Sequence, residues 1–272
     1  MVIVLFAILS FLGAAVYGFA AQITPAQLWQ CALIFVLGVP ALTVLYVLSA
    51  AAVSLFVDPS WPRKAQNPLC RGYIAHGGEI CCFYAGVRTH VRGMEKLPKD
   101  QRFLLVANHR SLFDPLVLFA VLKQYNLAFI SKPSNLKLPV VGRIAAGDCF
   151  LPINRENDRE ALRTILAAVD YLKRDLCSIC IYPEGTRSKT RDMLPFHSGS
   201  FKIAQRADVP LVIAAVSGTE QIKKRFPRPT EVYIDILELV SAEQVKAMKT
   251  AELSDHAREL IAQALAEREG RS

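Results

Sequence analysis

A histidine and an aspartate stand five positions apart in the stretch Asn108-His109-Arg110-Ser111-Leu112-Phe113-Asp114-Pro115, directly after the apolar run Phe103 to Ala107. The two residue types can do proton chemistry. A carboxylate beside one imidazole nitrogen fixes the tautomer, and the other nitrogen is then free to take a proton from a hydroxyl. The same residues also have a purely structural reading, with His109 ending a strand and Asp114 capping a helix whose first residue is Pro115. On one continuous helix, five positions advance by about 500°, which leaves the side chains about 140° apart and unable to meet. A turn from Arg110 to Phe113 removes that obstacle, so that capping and catalysis become compatible. A dyad of this kind usually serves a serine, but the chain has no G-x-S-x-G elbow, and His197-Ser198-Gly199-Ser200 does not match that pattern. The hydroxyl to be activated is therefore expected to belong to the substrate. Transfer would then take one step, without a covalent enzyme intermediate.

Two other stretches carry candidate anion ligands. Tyr182-Pro183-Glu184-Gly185-Thr186-Arg187-Ser188 follows an apolar run. Its glycine allows close backbone approach, and its arginine offers a fork of donors that suits a phosphate. The stretch is not a P-loop, because G-x-x-x-x-G-K-[ST] is absent, and a plain surface turn would read the same way. Phe150 to Arg155 is an apolar run ending in a second arginine, which could equally be a solvent-exposed strand end. Among the seven cysteines, Cys177 and Cys180 have C-x-x-C spacing inside an apolar run. Along a strand they would point to opposite faces, and no second pair completes a zinc site, so buried thiols are the expectation.

The elements that must position these residues alternate between strand and helix. Strands are expected over residues 87–93, 102–108, 127–132, 176–183, 210–217 and 231–240. Helices are expected over 116–125, 157–175, 199–207 and 250–269. The second of these is amphipathic, with Leu162, Ile165, Leu166, Val169 and Leu172 on one side. Residues 61–86 read as a connecting helix interrupted at Gly77-Gly78. The pattern argues an α/β sheet covered on both faces.

The chain is two objects. Of its 272 residues 52% are hydrophobic, and its mean hydropathy is +0.27. From Met1 to Val57 there is no Asp, Glu, Lys, Arg or His. This leader divides at Thr24-Pro25 into two apolar segments, the first about as long as the roughly 20 residues that span a bilayer and the second longer than needed, with Pro40 inside it. A two-helix hairpin over residues 1–57 is expected, with a charged α/β domain over residues 58–272. A signal peptide lacks support, since there is no basic n-region and a second apolar segment follows at once. Spanning the bilayer and dipping into one leaflet remain open. Arg63, Lys64, Arg71, Arg88 and Arg92 follow the leader with few acids among them, which places the charged domain on the cytoplasmic side of the cell membrane. The net charge of +8 suits an anionic membrane surface or a phosphate-bearing substrate. Nucleic acid is not expected, because no basic helix or aromatic platform stands out.

In order and spacing, these stretches resemble the glycerolipid acyltransferase family of the lysophosphatidate acyltransferase type. The N-H-x-x-x-x-D motif stands as Asn108-His109 through Asp114. The apolar run ending in arginine stands as Phe150 to Arg155. The [FY]-P-E-G-T-R-S motif is matched at every position from Tyr182 to Ser188, and a fourth apolar stretch stands as Val209 to Val216. The second motif carries Pro152 and Asn154 where an apolar residue and an aspartate are common, and the fourth has Ala214 where a second proline is common. The resemblance covers about residues 85–220 and implies a mixed β-sheet flanked by helices, behind the hydrophobic hairpin. It implies His109 as general base and Asp114 as its orienting partner. Arg155 and Arg187 would bind an acceptor phosphate, Glu184, Gly185 and Thr186 would form the acceptor site, and Lys132 would add charge. The implied reaction moves an acyl chain from acyl-CoA or acyl carrier protein to the sn-2 hydroxyl of lysophosphatidate, a membrane lipid, with no metal or other cofactor. The same chemistry on another lysophospholipid, glycerol 3-phosphate or a lyso-aminolipid is the alternative, followed by thioester hydrolysis or non-catalytic lipid binding.

Overall fold

The computed structural model describes residues 2–188 and 192–270. The outer ends of the two expected units, Met1 and residues 271–272, lie outside the described residues. The apolar leader forms helices α1 (Val2–Ala20) and α2 (Leu28–Leu55), joined by a turn that contains Pro25. Both are long and apolar enough to cross a membrane by length and composition. They lie close together where Ser10 meets Gly38. A Cβ on Gly38 would clash with the Ser10 hydroxyl, which donates to the carbonyl of Phe35 at 2.8 Å.

Helix α3 (Pro68–Tyr84) follows, opened by Asn67, whose side chain accepts from the amides of Leu69 and Cys70. It runs unbroken through Gly77-Gly78, against the interruption expected from the sequence. The reason is packing. A Cβ on Gly78 would come within 2.7 Å of the Leu116 carbonyl oxygen, so the glycine lets α3 lie directly on α4 (Phe113–Val121). A buried neighbour offsets the intrinsic helix cost of glycine, about 1 kcal/mol.

The sheet comprises β1 (Val87–Arg92), β2 (Leu104–Ala107), β3 (Leu127–Ser131), β4 (Leu151–Pro152), β5 (Ser178–Ile181), β6 (Leu211–Ser217) and β7 (Thr230–Val240). Its order is β1-β7-β6-β2-β5-β3-β4. The block β6-β2-β5-β3-β4 is parallel, β7 runs antiparallel to β6, and β1 is parallel to β7. The sheet is therefore mixed, as the resemblance implies. Strands β2 and β5 are buried at every residue, which requires cover on both faces. The short helices α5 (Pro133–Leu136) and α6 (Val141–Gly147) associate with each other, and α3 packs on both α4 and α6. The second group is α7 (Asp158–Lys173), α8 (Lys202–Ala207), α10 (Ala242–Ala247) and α11 (Thr250–Glu269), with α9 (Ile222–Arg225) at the sheet edge.

Helix α7 turns inward a face that overlaps the expected one at Ile165, Val169 and Leu172 but excludes Leu162 and Leu166. Thr164, Ala167, Ala168, Val169, Tyr171 and Leu172 are buried, whereas Leu162 and Leu166 are half exposed. Small residues let this helix sit close to the sheet, and a stripe chosen by side-chain size misses them. Cys177 and Cys180 are buried free thiols.

Candidate active site

The parallel strands β2, β5, β3 and β4 end along one edge of the sheet, and the chain segments that follow them carry every residue singled out above. In open α/β sheets such an edge is where ligands bind. Asn108 is buried just past the last residue of β2. Its side-chain amide donates to the Val216 carbonyl and accepts from the Val216 amide, both at 2.8 Å, so it extends the β2–β6 ladder by one rung. That rung fixes where the next residue, His109, leaves the sheet.

His109 and Asp114 meet, with Nδ1 at 2.8 Å from Oδ2. Asp114 is fully buried. The same Oδ2 accepts the backbone amides of Arg110 and Ser111 at 2.8 Å each, and Oδ1 accepts the hydroxyl of Thr219. The helix begins at Phe113, two residues before the expected Pro115, so Asp114 lies in its first turn and is not its N-cap. The carboxylate instead reaches back and closes the turn between strand and helix. With three donors already satisfied on Asp114, the fourth contact is an N–H of His109, which puts the proton on Nδ1 and leaves Nε2 as the acceptor. Among the described residues Nε2 has no protein partner.

The imidazole also rests on a ring. Tyr182 stacks on it with centroids 4.2 Å apart and planes 10° from parallel. The main chain of His109 is held as well, since its amide donates to Glu184 Oε1 at 2.6 Å. The other oxygen of Glu184 accepts the Leu194 amide at 3.0 Å. Burial pushes the Glu184 carboxyl above its usual range, opposed by those two amides and by nearby His109 and Arg110. Glu184 thus ties the β2 end to the loop after β5, and its carboxylate is spent on backbone amides.

Gly185 has φ +81°, a conformation that suits glycine. A Cβ there would lie 3.0 Å from His197 Nε2 and 3.2 Å from Arg155 Nη1. The absent side chain is what allows an arginine from the end of β4 to approach the turn after β5. The structure so brings together His109, Asp114, Glu184, Gly185 and Arg155. Lys132, Thr186 and Arg187 stand exposed on the same edge, and among the described residues no hydrogen bond joins them to the others. Sequence reasoning missed Thr219, the stacking role of Tyr182 and the approach of His197. Tyr182 lay inside a motif already singled out, whereas Thr219 has no local signal, because its partner is 105 residues away.

The acyltransferase family model matches residues 88–217. A 1-acyl-sn-glycerol-3-phosphate acyltransferase of Salmonella typhimurium is 34% identical over 208 residues, covering 76% of this chain and 83% of the relative. The human 1-acyl-sn-glycerol-3-phosphate acyltransferase beta is 31% identical over 214 residues, covering 77% and 75%. The crystal structure of the 1-acyl-sn-glycerophosphate acyltransferase PlsC from Thermotoga maritima superposes with a TM-score of 0.62 at 26% identity, covering 74% of this chain and 80% of that one.

Proposed function

This chain belongs to the acyltransferase family that includes the 1-acyl-sn-glycerol-3-phosphate acyltransferases, and from that premise we propose that it acylates the sn-2 hydroxyl of lysophosphatidate to give phosphatidate. The observation that carries the mechanism is the His109–Asp114 contact, with Asp114 buried and saturated and Nε2 of His109 without a protein partner among the described residues. Nε2 takes the proton of the acceptor hydroxyl as its oxygen attacks the thioester carbonyl of acyl-CoA or acyl carrier protein. The tetrahedral intermediate collapses by breaking the carbon–sulfur bond. The imidazolium returns its proton to the departing thiolate, so the enzyme ends as it began. Asp114 acts through His109 as a positioning residue. Arg155, across Gly185, and the exposed Arg187 and Lys132 supply positive charge for the acceptor phosphate.

The apolar hairpin serves a substrate and product that both reside in the membrane, with the α/β domain of residues 58–272 at its cytoplasmic face. The test is a panel assay. Membranes holding the full chain are given a labelled acyl thioester, as acyl-CoA or acyl carrier protein, and a series of lysolipids, glycerol 3-phosphate or no acceptor. Phosphatidate as the main product is the expected result. Free fatty acid released without any acceptor would replace transfer by hydrolysis.

A further inference from the structure

The segment after Thr219 takes no part in the catalytic corner. Helix α9 and the loop beyond it read Ile222-Lys223-Lys224-Arg225-Phe226-Pro227-Arg228. Ile222 is buried and holds the segment down, while residues 223–229 are all exposed. Phe226 is 61% exposed. Among the described residues, none of the four cations makes an ion pair, and from Ser217 to Thr230 the sole acid is Glu220. The segment thus presents a basic cluster around an exposed aromatic ring. It suits a surface that offers anionic headgroups above an apolar layer.

The fold places the segment where such a surface must be. Strands β1 and β7 run opposite to the parallel block, so they begin at the edge where β2, β5 and β6 end. The loop that ends at the start of β7 is therefore on the active-site edge, and it issues from Thr219, which holds Asp114. The hairpin leaves the body at this edge too. Near the C-terminus of α3, the Tyr84 hydroxyl bonds Thr43 of α2 at 2.9 Å, and Phe83 and Tyr84 are exposed. Farther out, the hairpin's polar contacts join its own helices, as between Tyr17 and Gln30. Two residues past Tyr84, the Gly86 carbonyl accepts the Thr230 amide at 3.0 Å, and a Cβ on Gly86 would sit 3.4 Å from Pro229. The hairpin exit, two exposed aromatic residues, the basic loop and the catalytic corner share one side of the molecule.

We infer that residues 223–228 are a second membrane contact, in which Phe226 seats at the bilayer interface while Lys223, Lys224, Arg225 and Arg228 lie among anionic lipid headgroups. The contact is independent of the acceptor's identity but rests on the hairpin's membrane reading. It would set the tilt of the domain, holding the mouth beside His109 against the lipid surface.

The test uses the full chain in nanodiscs of phosphatidylcholine with phosphatidylglycerol, some of the lipid carrying bromine on the acyl chains. With Trp29 and Trp61 changed to phenylalanine, Phe226→Trp reports on the loop and Phe11→Trp, on an exposed face of α1, reports on the hairpin. Tryptophan at 226 should lose fluorescence to brominated lipid, because an aromatic ring at the interface lies beside the acyl chains. Changing the four cations to glutamine should remove that loss and leave the probe at position 11 quenched. A probe at 226 that stays bright beside a quenched probe at 11 overturns the loop contact and spares the hairpin. Two bright probes overturn both readings. A bright probe at 226, with the four-glutamine variant raising KM for acyl carrier protein but not for acyl-CoA, would assign the loop to an acidic protein and overturn the lipid contact.

Discussion

The two sides of the active-site edge are built on opposite principles. At the corner of β2 and β5, His109, Asp114, Glu184 and Thr219 are locked together by buried hydrogen bonds. On the flank formed by β3, β4 and the turn after β5, Lys132, Arg155, Thr186 and Arg187 stand exposed. The corner is complete before a substrate arrives. The flank is a set of charges that a bound phosphate would organise. A proton-transfer site needs orientation fixed to within a fraction of an ångström, whereas attraction of an anion needs only charge within reach. The difference implies that substitutions among the buried residues that hold His109 damage kcat and the fold together, and that those on the flank damage substrate binding alone.

The largest expected effect is at Asp114. Asp114→Ala leaves the amides of Arg110 and Ser111 and the hydroxyl of Thr219 without their acceptor. Each buried orphan costs about 1–3 kcal/mol, and loss of the tautomer lock should lower kcat by roughly 10²–10⁴-fold. Thermal unfolding and acyl transfer, measured on one preparation, should fall together. If only one falls, orientation and fold are not coupled at this corner.

Arg155→Ala tests the flank. A charge-assisted hydrogen bond contributes about 1.5–3 kcal/mol, so KM for lysophosphatidate should rise roughly 10- to 100-fold with the unfolding temperature unchanged. Monoacylglycerol, which lacks the phosphate, should be handled alike by variant and parent. Equal effects on both acceptors would remove Arg155 from phosphate binding.

A smaller effect is expected for Thr219→Val. It removes one donor to Asp114 without altering shape much. A loss of about 1 kcal/mol in stability and a modest drop in kcat should follow. No change in either would mean that Thr219 is a bystander.

The smallest effect on catalysis is expected at a carboxyl as buried as Asp114 but poorly bonded, where the change is in stability. Asp148 accepts from Gln66 at 2.8 Å, and Arg71 stays 3.6 Å from its other oxygen. Burial outweighs both and pushes its pKa up to about 7. The folded protein therefore keeps this proton at pH values where the unfolded chain, titrating near about 4, has lost it. The resulting stabilisation is fully present below that ordinary value and is lost as pH rises to about 7. Relative to Asp148→Asn, the parent's unfolding temperature should decline across that window. Parallel pH curves would show that Asp148 ionises normally.

Much of the corner and little of the long-range pinning was legible in the sequence. Short apolar runs with abrupt polar ends marked β2, β5 and β6, because strands buried on both faces have little room for other residues. The limits of α11 match the expected 250–269 for the opposite reason, an amphipathic helix with charged flanks. The inward face of α7 was legible at Ile165, Val169 and Leu172 and not beyond them, because Ala167 and Ala168 are buried where Leu162 and Leu166 stand half exposed. Gly77-Gly78 read as a break because glycine's propensity is local and its packing partner, α4, is remote. Thr219 and Glu184 act on residues 105 and 75 positions away, a separation over which spacing carries no signal. The basic loop at Lys223 to Arg228 carries little signal in the sequence, since α9 is a single turn and not the long basic helix that nucleic-acid binding would use.

The central claim is that Nε2 of His109 takes the proton of the acceptor hydroxyl in a direct transfer. The most direct measurement is the rate of phosphatidate formation by His109→Ala beside the parent, in the same membranes, at saturating lysophosphatidate and acyl thioester. A fall in kcat of roughly 10²–10⁴-fold, with KM for lysophosphatidate and thermal unfolding little changed, is the predicted result. Phosphatidate formed equally fast by both would contradict it.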